Sequence, residues 1–246
     1  MNMDNGVLLV FIFGLITAVA TGLGAAPFLF LKNVSKRTTA FAAAIASGLM
    51  LGASFGLMIE GSEYGAWQTL IGAGAGVLFI LLGARYLSAH SELGFGSFRG
   101  QGARRILLVV ATMTAHSFAE GVAVGVAFGG GVEFGILITI AIAVHNIPEG
   151  LAISAVMRPK GATVAACAGW SIFSSLPQPL MAVPAFVFVE VFRPFLPYGL
   201  GFAAGAMVFM VFLELLPEAY EGANKSSIGL IVGLTLGLMI LFQRSL

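Results

Sequence analysis

Long apolar stretches, one after another, constrain this chain more than any other feature of its sequence. Eight of them approach or exceed the roughly 20 residues that a helix needs to cross a bilayer. They lie at about 6–31, 38–60, 66–88, 104–128, 132–157, 161–189, 197–217 and 226–243. Open sheets cannot span lipid, and no segment alternates polar with apolar residues as a barrel strand would. The sequence therefore predicts an all-α integral membrane protein with eight transmembrane helices.

Few residues remain outside these stretches, so residues 1–246 are predicted to form a single polytopic transmembrane domain. Charged residues make up 9% of the chain, against about 25% in a soluble domain. The net charge of +1 lacks the basic excess of a nucleic-acid-binding protein. The single cysteine, Cys167, cannot form an internal disulfide or a thiolate cluster and is expected to be a packing residue. We therefore expect a lipid bilayer around the chain and no nucleic-acid partner.

Lysine and arginine are distributed unevenly between the two sides of the predicted bundle. The connections that follow odd-numbered spans, with their flanks, hold ten of them: Lys32, Lys36, Arg37, Arg85, Arg99, Arg104, Arg105, Arg158, Lys160 and Lys225. The opposite side holds two, Arg193 and Arg244. Because cytoplasmic loops are enriched in these residues, both termini are predicted to face outward. In a bacterium the host would be the plasma or inner membrane; elsewhere it would be a plasma or organelle membrane.

Two neighbouring spans carry the same short motif. It reads His, a polar residue, two further residues, Glu and Gly, at 116–121 in the fourth span and 145–150 in the fifth. Residues four apart share one face of a helix, so the His and Glu of each motif point the same way. From the rise of a helix, each His lies about 18 Å from the cytoplasmic end of its span. All four side chains can therefore converge near the middle of the membrane.

Ionisable residues inside a span are costly, and they are functional candidates for that reason. The candidates here are His116, Glu120, His145 and Glu149. Imidazole suits Zn, Fe, Cu and Ni, and carboxylate suits harder ions such as Mn. Two carboxylates would also neutralise a divalent ion and offset the cost of keeping charge away from water. The structural alternative is a pair of buried His–Glu ion pairs, but the duplication and matched depth favour a metal site.

Further polar and sulfur-bearing side chains in the spans allow two interpretations each. Gln178, between two prolines in the sixth span, offers either a neutral ligand or a hydrogen-bond partner to a ligand. Met50 in the second span could add a thioether, although a lone methionine is more often a packing residue. Glu214 and Glu218, at the end of the seventh span, either line an exit path or are solvated charges at a helix end.

The two motifs, together with the eight spans, resemble the ZIP (Zrt-, Irt-like protein) family of metal transporters along essentially the whole chain. The resemblance implies uptake of Zn, and in some members Fe, Mn or Cd, through a primary site formed by the His and Glu of both motifs. It also implies helices arranged as three, two and three, and frequent homodimers. A second, adjacent site in some members would correspond here to Ser117, Asn146 and Gln178. These side chains are neutral, so any second ion should bind weakly.

The predicted function is transport of a divalent transition metal ion, zinc first, with the ion as substrate rather than resident cofactor. The alternative is a membrane-embedded zinc hydrolase, because zinc beside a carboxylate base can activate water. The His-Glu-x-x-His motif of helical metalloproteases is absent from the sequence. Four protein ligands would also leave little room for water and substrate. We therefore expect a transporter and not an enzyme.

Overall fold

The computed structural model describes residues 3–30, 35–89 and 100–245, and these ranges contain helices and turns but no strand. The helices, in chain order, are α1 Met3–Leu23, α2 Lys36–Ala89, α3 Gly100–Gly130, α4 Val132–Met157, α5 Val164–Ser175, α6 Pro177–Val187, α7 Val189–Phe192, α8 Leu196–Met210, α9 Leu216–Gly222 and α10 Lys225–Ser245. A π-helical segment, Val211–Leu215, joins α8 to α9. Two of the ten cationic residues, Lys32 and Arg99, lie outside the described ranges.

Six helical segments of the described chain are long and apolar enough to cross a membrane. They are Asn5–Leu23, Lys36–Ala89, Gly102–Gly130, Val132–Lys160, Val189–Gly222 and Lys225–Ser245. Their length and composition confirm a helical integral membrane protein. The predicted count of eight spans differs from these six at two places, the long helix α2 and the pair α5 and α6.

Helix α2 is interrupted between the second and third predicted spans. Gly65 has extended, non-helical backbone angles within its 54 residues. A Cβ atom on Gly61 would lie 2.8 Å from Thr69 Oγ1, whereas eight residues of continuous helix would separate these positions by about 12 Å. The chain therefore folds back near Gly65, which brings the residues on either side of it together.

The predicted sixth span, 161–189, is broken into α5 and α6, which have 12 and 11 residues. The break falls at Leu176, because Pro177 has no N–H to continue the hydrogen-bond pattern of α5. Neither piece alone reaches the length of a membrane span.

The helices pack as two groups. The first contains α1, α3, α4, α5 and α6, and the second contains α2, α8, α9 and α10. Close backbone contacts hold each group together: a Cβ on Gly150 of α4 would overlap the carbonyl oxygen of Thr21 in α1, and one on Gly72 of α2 would overlap that of Tyr198 in α8. Helices α2 and α8 also border the first group through α4 and α3, respectively. Both helices that carry the repeated motif, α3 and α4, lie in the first group.

Candidate metal centre

The four predicted ligands come together in one buried cluster. Helix α3 carries His116 and Glu120, and α4 carries His145 and Glu149. Each of the four offers one ligand atom, and these atoms all lie within 4.8 Å of one another. None of the four residues is more than 3% exposed. The structure therefore brings the predicted primary site together as one group.

The distances within the cluster are short. His116 Nε2 lies 2.8 Å from Glu149 Oε1 and 3.3 Å from Glu120 Oε1, and His145 Nε2 lies 3.5 Å from Glu149 Oε1. The centroids of the two imidazole rings are 5.6 Å apart. The candidate ligand atoms of α3 and α4 therefore contact each other across the two helices, instead of forming one separate His–Glu pair on each helix.

The register of the two helices follows from the turn between them. Helix α3 ends at Gly130 and α4 begins at Val132, with Gly131 alone between them. Gly131 has a φ of 141°, a backbone conformation that residues other than glycine rarely adopt. His116 lies fifteen residues before this turn and His145 lies fourteen after it. An antiparallel hairpin with this register places both motifs at the same depth.

The glycine that ends each motif permits a close helix contact. A Cβ on Gly121 would lie 2.6 Å from the carbonyl oxygen of Gln178 in α6. A Cβ on Gly150 would overlap the carbonyl oxygen of Thr21 in α1. The two candidate glutamates therefore lie next to the points where α3 meets α6 and α4 meets α1. Small residues have this role in helix packing within membranes.

The three residues predicted for a weaker second site are also buried beside the cluster, but two of them are hydrogen-bonded to each other. Asn146 Nδ2 donates to the backbone carbonyl of Thr17 at 2.9 Å and to Gln178 Oε1 at 3.0 Å. Gln178 Nε2 in turn donates to Glu120 Oε2. The structure thus shows Gln178 hydrogen-bonded to Glu120, one of the candidate ligands, and a role of Gln178 as a ligand stays a prediction. Ser117 lies at the same depth and is fully buried.

Several buried polar atoms in this region have no hydrogen-bond partner among the residues that the structure describes. They include Glu149 Oε2, His116 Nδ1, Ser117 Oγ and Asn146 Oδ1. Buried polar atoms are almost always paired, and an ion or water is one explanation when they are not. Two imidazoles and two carboxylates form a donor set that zinc accepts readily. The cluster is therefore suited to a divalent transition metal.

The other predicted candidates lie elsewhere. Met50 is fully buried in α2 as part of the hydrophobic core, so its role as a ligand stays a prediction. Glu214 and Glu218 are not free charges: Arg105 Nε donates to Glu214 Oε2 at 2.7 Å, and Arg105 Nη1 pairs with Glu218. This pairing is not predictable from the sequence, because Arg105 and Glu214 are 109 residues apart along the chain.

Comparison with known proteins identifies the family. The sequence model of the family described as ZIP zinc transporter matches residues 90–242, which include both motifs. The chain belongs to the ZIP family. Among relatives of this ZIP chain, a putative zinc transporter of Arabidopsis thaliana is 46% identical over 88% of the chain. The zinc transporter GufA of Myxococcus xanthus is 30% identical over 92% of the chain. The zinc transporter ZIPB of Bordetella bronchiseptica is 31% identical over 88%.

These relatives differ in length. The ZIP chain spans about a third of the Arabidopsis protein, 35%, but 95% of GufA and 75% of ZIPB. The resemblance inferred from the two motifs is thus confirmed at the level of the family.

Proposed function

We propose that this ZIP chain transports a divalent metal ion, zinc first, across a membrane toward the cytoplasm through the site between α3 and α4. The observation that carries the proposal is the buried cluster of His116, Glu120, His145 and Glu149, whose ligand atoms lie within 4.8 Å of one another. Membership of the ZIP family and the names of the bacterial relatives support zinc as the first candidate. Fe, Mn and Cd remain further candidate substrates.

The cluster requires little rearrangement to hold the ion. Zinc bonds of about 2.0–2.2 Å in a tetrahedron place ligand atoms about 3.4 Å apart. Three of the distances between His and Glu atoms are 2.8, 3.3 and 3.5 Å, and all four ligand atoms lie within 4.8 Å of one another. Two carboxylates cancel the charge of the ion, so the complex stays neutral inside the membrane. A transported ion must also be released. Nitrogen and oxygen ligands bind zinc with lower affinity than thiolates do, which favours release.

The proposed membrane arrangement has eight spans, with α2 counted as two and α5 and α6 together as one. The fold-back at Gly65 supports the first count. A three, two and three arrangement of the spans, outward-facing termini and a homodimer complete the proposal. The excess of lysine and arginine beside the odd-to-even connections supports the orientation.

A second, weaker ion site at Ser117, Asn146 and Gln178 would require the hydrogen bonds between Asn146, Gln178 and Glu120 to break. Met50, which lies in α2, remains a candidate thioether ligand. Both roles are secondary to the four-residue site.

The alternative of a membrane-embedded zinc hydrolase has no support from the family or the relatives, which are described as transporters. One experiment separates the two functions. The purified protein is reconstituted into liposomes that contain a dye sensitive to each of the tested metals and no hydrolysable substrate. We expect saturable zinc entry that protein-free liposomes lack. If the folded protein admits none of Zn, Fe, Mn and Cd, the transport proposal is wrong.

A further inference from the structure

We propose that Gln178 is a specificity-determining positioning residue, which holds Glu120 to one metal-facing oxygen and so favours zinc over ions that need more oxygen ligands. The inference rests on the proposed transport function. Gln178 is hydrogen-bonded to Glu120, one of the four proposed ligands, but is not one of the four itself.

The two oxygens of Glu120 have different partners. Oε1 faces the cluster, 3.3 Å from His116 Nε2. Oε2 accepts a hydrogen bond from Gln178 Nε2. Because the amide occupies Oε2, Glu120 presents Oε1 alone to an ion, and binding through both oxygens would require that hydrogen bond to break.

The amide of Gln178 is itself fixed in orientation. Its oxygen accepts from Asn146 Nδ2 at 3.0 Å, which leaves its NH₂ group directed at Glu120. Asn146 is anchored by a second hydrogen bond, to the carbonyl of Thr17 at 2.9 Å. A flipped amide would place the NH₂ groups of Gln178 and Asn146 against each other. Asn146 in α4 therefore donates both to α1 and to Gln178 in α6, and Gln178 donates in turn to Glu120 in α3.

The backbone beneath Gln178 is restrained as well. It lies between Pro177 and Pro179 at the start of α6, and proline fixes the backbone angle φ. Helix α3 approaches it so closely that a Cβ on Gly121 would be 2.9 Å from Gln178 Cα. Gln178 is completely buried. A side chain on so rigid a backbone can hold the Glu120 carboxylate in one position while ions bind and dissociate.

One available oxygen on Glu120 matters because metals differ in the number of ligands they accept. Zinc is satisfied by four ligands in a tetrahedron, whereas oxygen-rich octahedral sites favour Mn²⁺. With Glu120 limited to one oxygen, the cluster offers two nitrogens and few oxygens. If the amide is removed, Glu120 can bind through both oxygens and the preference for zinc should weaken.

The test measures zinc and manganese influx side by side in proteoliposomes containing the full chain. The variant Gln178→Met keeps most of the side-chain volume and removes both hydrogen bonds. Gln178→Glu keeps an oxygen for Asn146 but removes the donor to Glu120 and adds a carboxylate. Each should lower the ratio of zinc to manganese transport by about tenfold, the size expected when one charge-assisted hydrogen bond is lost. Either variant is informative if the other does not fold.

Ser175→Ala is the matched control. Ser175 also makes a buried side-chain hydrogen bond between helices, to Thr21 at 2.7 Å, but it does not contact Glu120. We expect its zinc-to-manganese ratio to equal that of the wild type. An unchanged ratio in a folded Gln178 variant, or an equal fall in Ser175→Ala, would overturn the inference while leaving zinc transport established. A wild-type protein that transports neither ion would overturn the proposed function itself.

Discussion

At the scale of the residue, the protonation of two imidazoles and two carboxylates governs what the cluster can bind. His116 and His145 are buried and within 3.5 Å of a glutamate oxygen. A protonated imidazole cannot donate its lone pair to a metal, so protons and metal compete for the same atoms. Metal binding should therefore release protons and depend on pH.

We predict that zinc affinity weakens as pH falls, because each ligand must lose its proton to bind the ion. Between pH 7.5 and 5.5 the dissociation constant should rise by about tenfold or more. Calorimetric titration of the detergent-solubilised protein with zinc, buffered at each pH, measures the change. Unfolding temperatures recorded at both values serve as the control for a loss of structure. Equal affinities in the folded protein at the two pH values would refute the competition.

The convergence of the four candidate ligands was predictable from the sequence because their placement depends on local geometry. The spacing of His and Glu sets one face of a helix, and the short turn at Gly131 sets the register of α3 against α4. The hydrogen bond from Gln178 to Glu120 was not predictable in the same way. It depends on how α6 turns after the break at Leu176 and on its close approach at Gly121. The flanking prolines indicated a break but not the direction in which the side chain would point.

At the scale of the element, contacts between helices determine where the candidate ligands lie. Helices α1 and α4 touch where Gly150 faces the carbonyl oxygen of Thr21, immediately after the ligand Glu149. On α10, by contrast, Gly237 has open space around it. The two glycines lie in helices of similar composition but in opposite surroundings, which makes them a matched pair for mutation.

We predict that Gly150→Ala lowers the thermal unfolding temperature in detergent and impairs zinc transport, because its methyl group must separate α1 from α4. Overpacking of this kind costs about 1–3 kcal/mol. Gly237→Ala should be neutral or slightly stabilising, since alanine favours a helix over glycine by about 1 kcal/mol or less. Comparable losses in both variants would show that the close contact is not the cause.

A second set of contacts joins α3 to the segment that follows α8. Arg105 pairs with both Glu214, which is 3% exposed, and Glu218. Arg104 lies farther away, with Nη2 3.9 Å from Glu214 Oε1. We predict that Arg105→Met lowers the free energy of unfolding by about 1–3 kcal/mol, because it leaves a buried carboxylate without its partner.

Arg104→Met provides the comparison, because the more distant pair should contribute less. Thermal unfolding of both variants in detergent measures the difference. If Arg104→Met is as destabilising as Arg105→Met, the buried hydrogen-bonded pair has no special role.

At the scale of the whole molecule, the metal centre lies within one of two groups of helices. The candidate ligands belong to α3 and α4, and Gln178 belongs to α6, all in the group that also contains α1 and α5. Helices α2 and α8 border this group. The sequence predicted a helical membrane protein because hydropathy and segment length report that directly. It did not predict the grouping, which depends on packing between distant segments.

Zinc influx into proteoliposomes, measured for one pair of variants, tests the central claim most directly. Glu149→Ala removes a ligand from the cluster, and Glu133→Ala removes an exposed glutamate from the first turn of the same helix. The account predicts that Glu149→Ala abolishes saturable influx, whereas Glu133→Ala keeps the influx of the wild type. If Glu149→Ala is folded and still transports zinc at the wild-type rate, the ion does not pass through this site and the account is wrong.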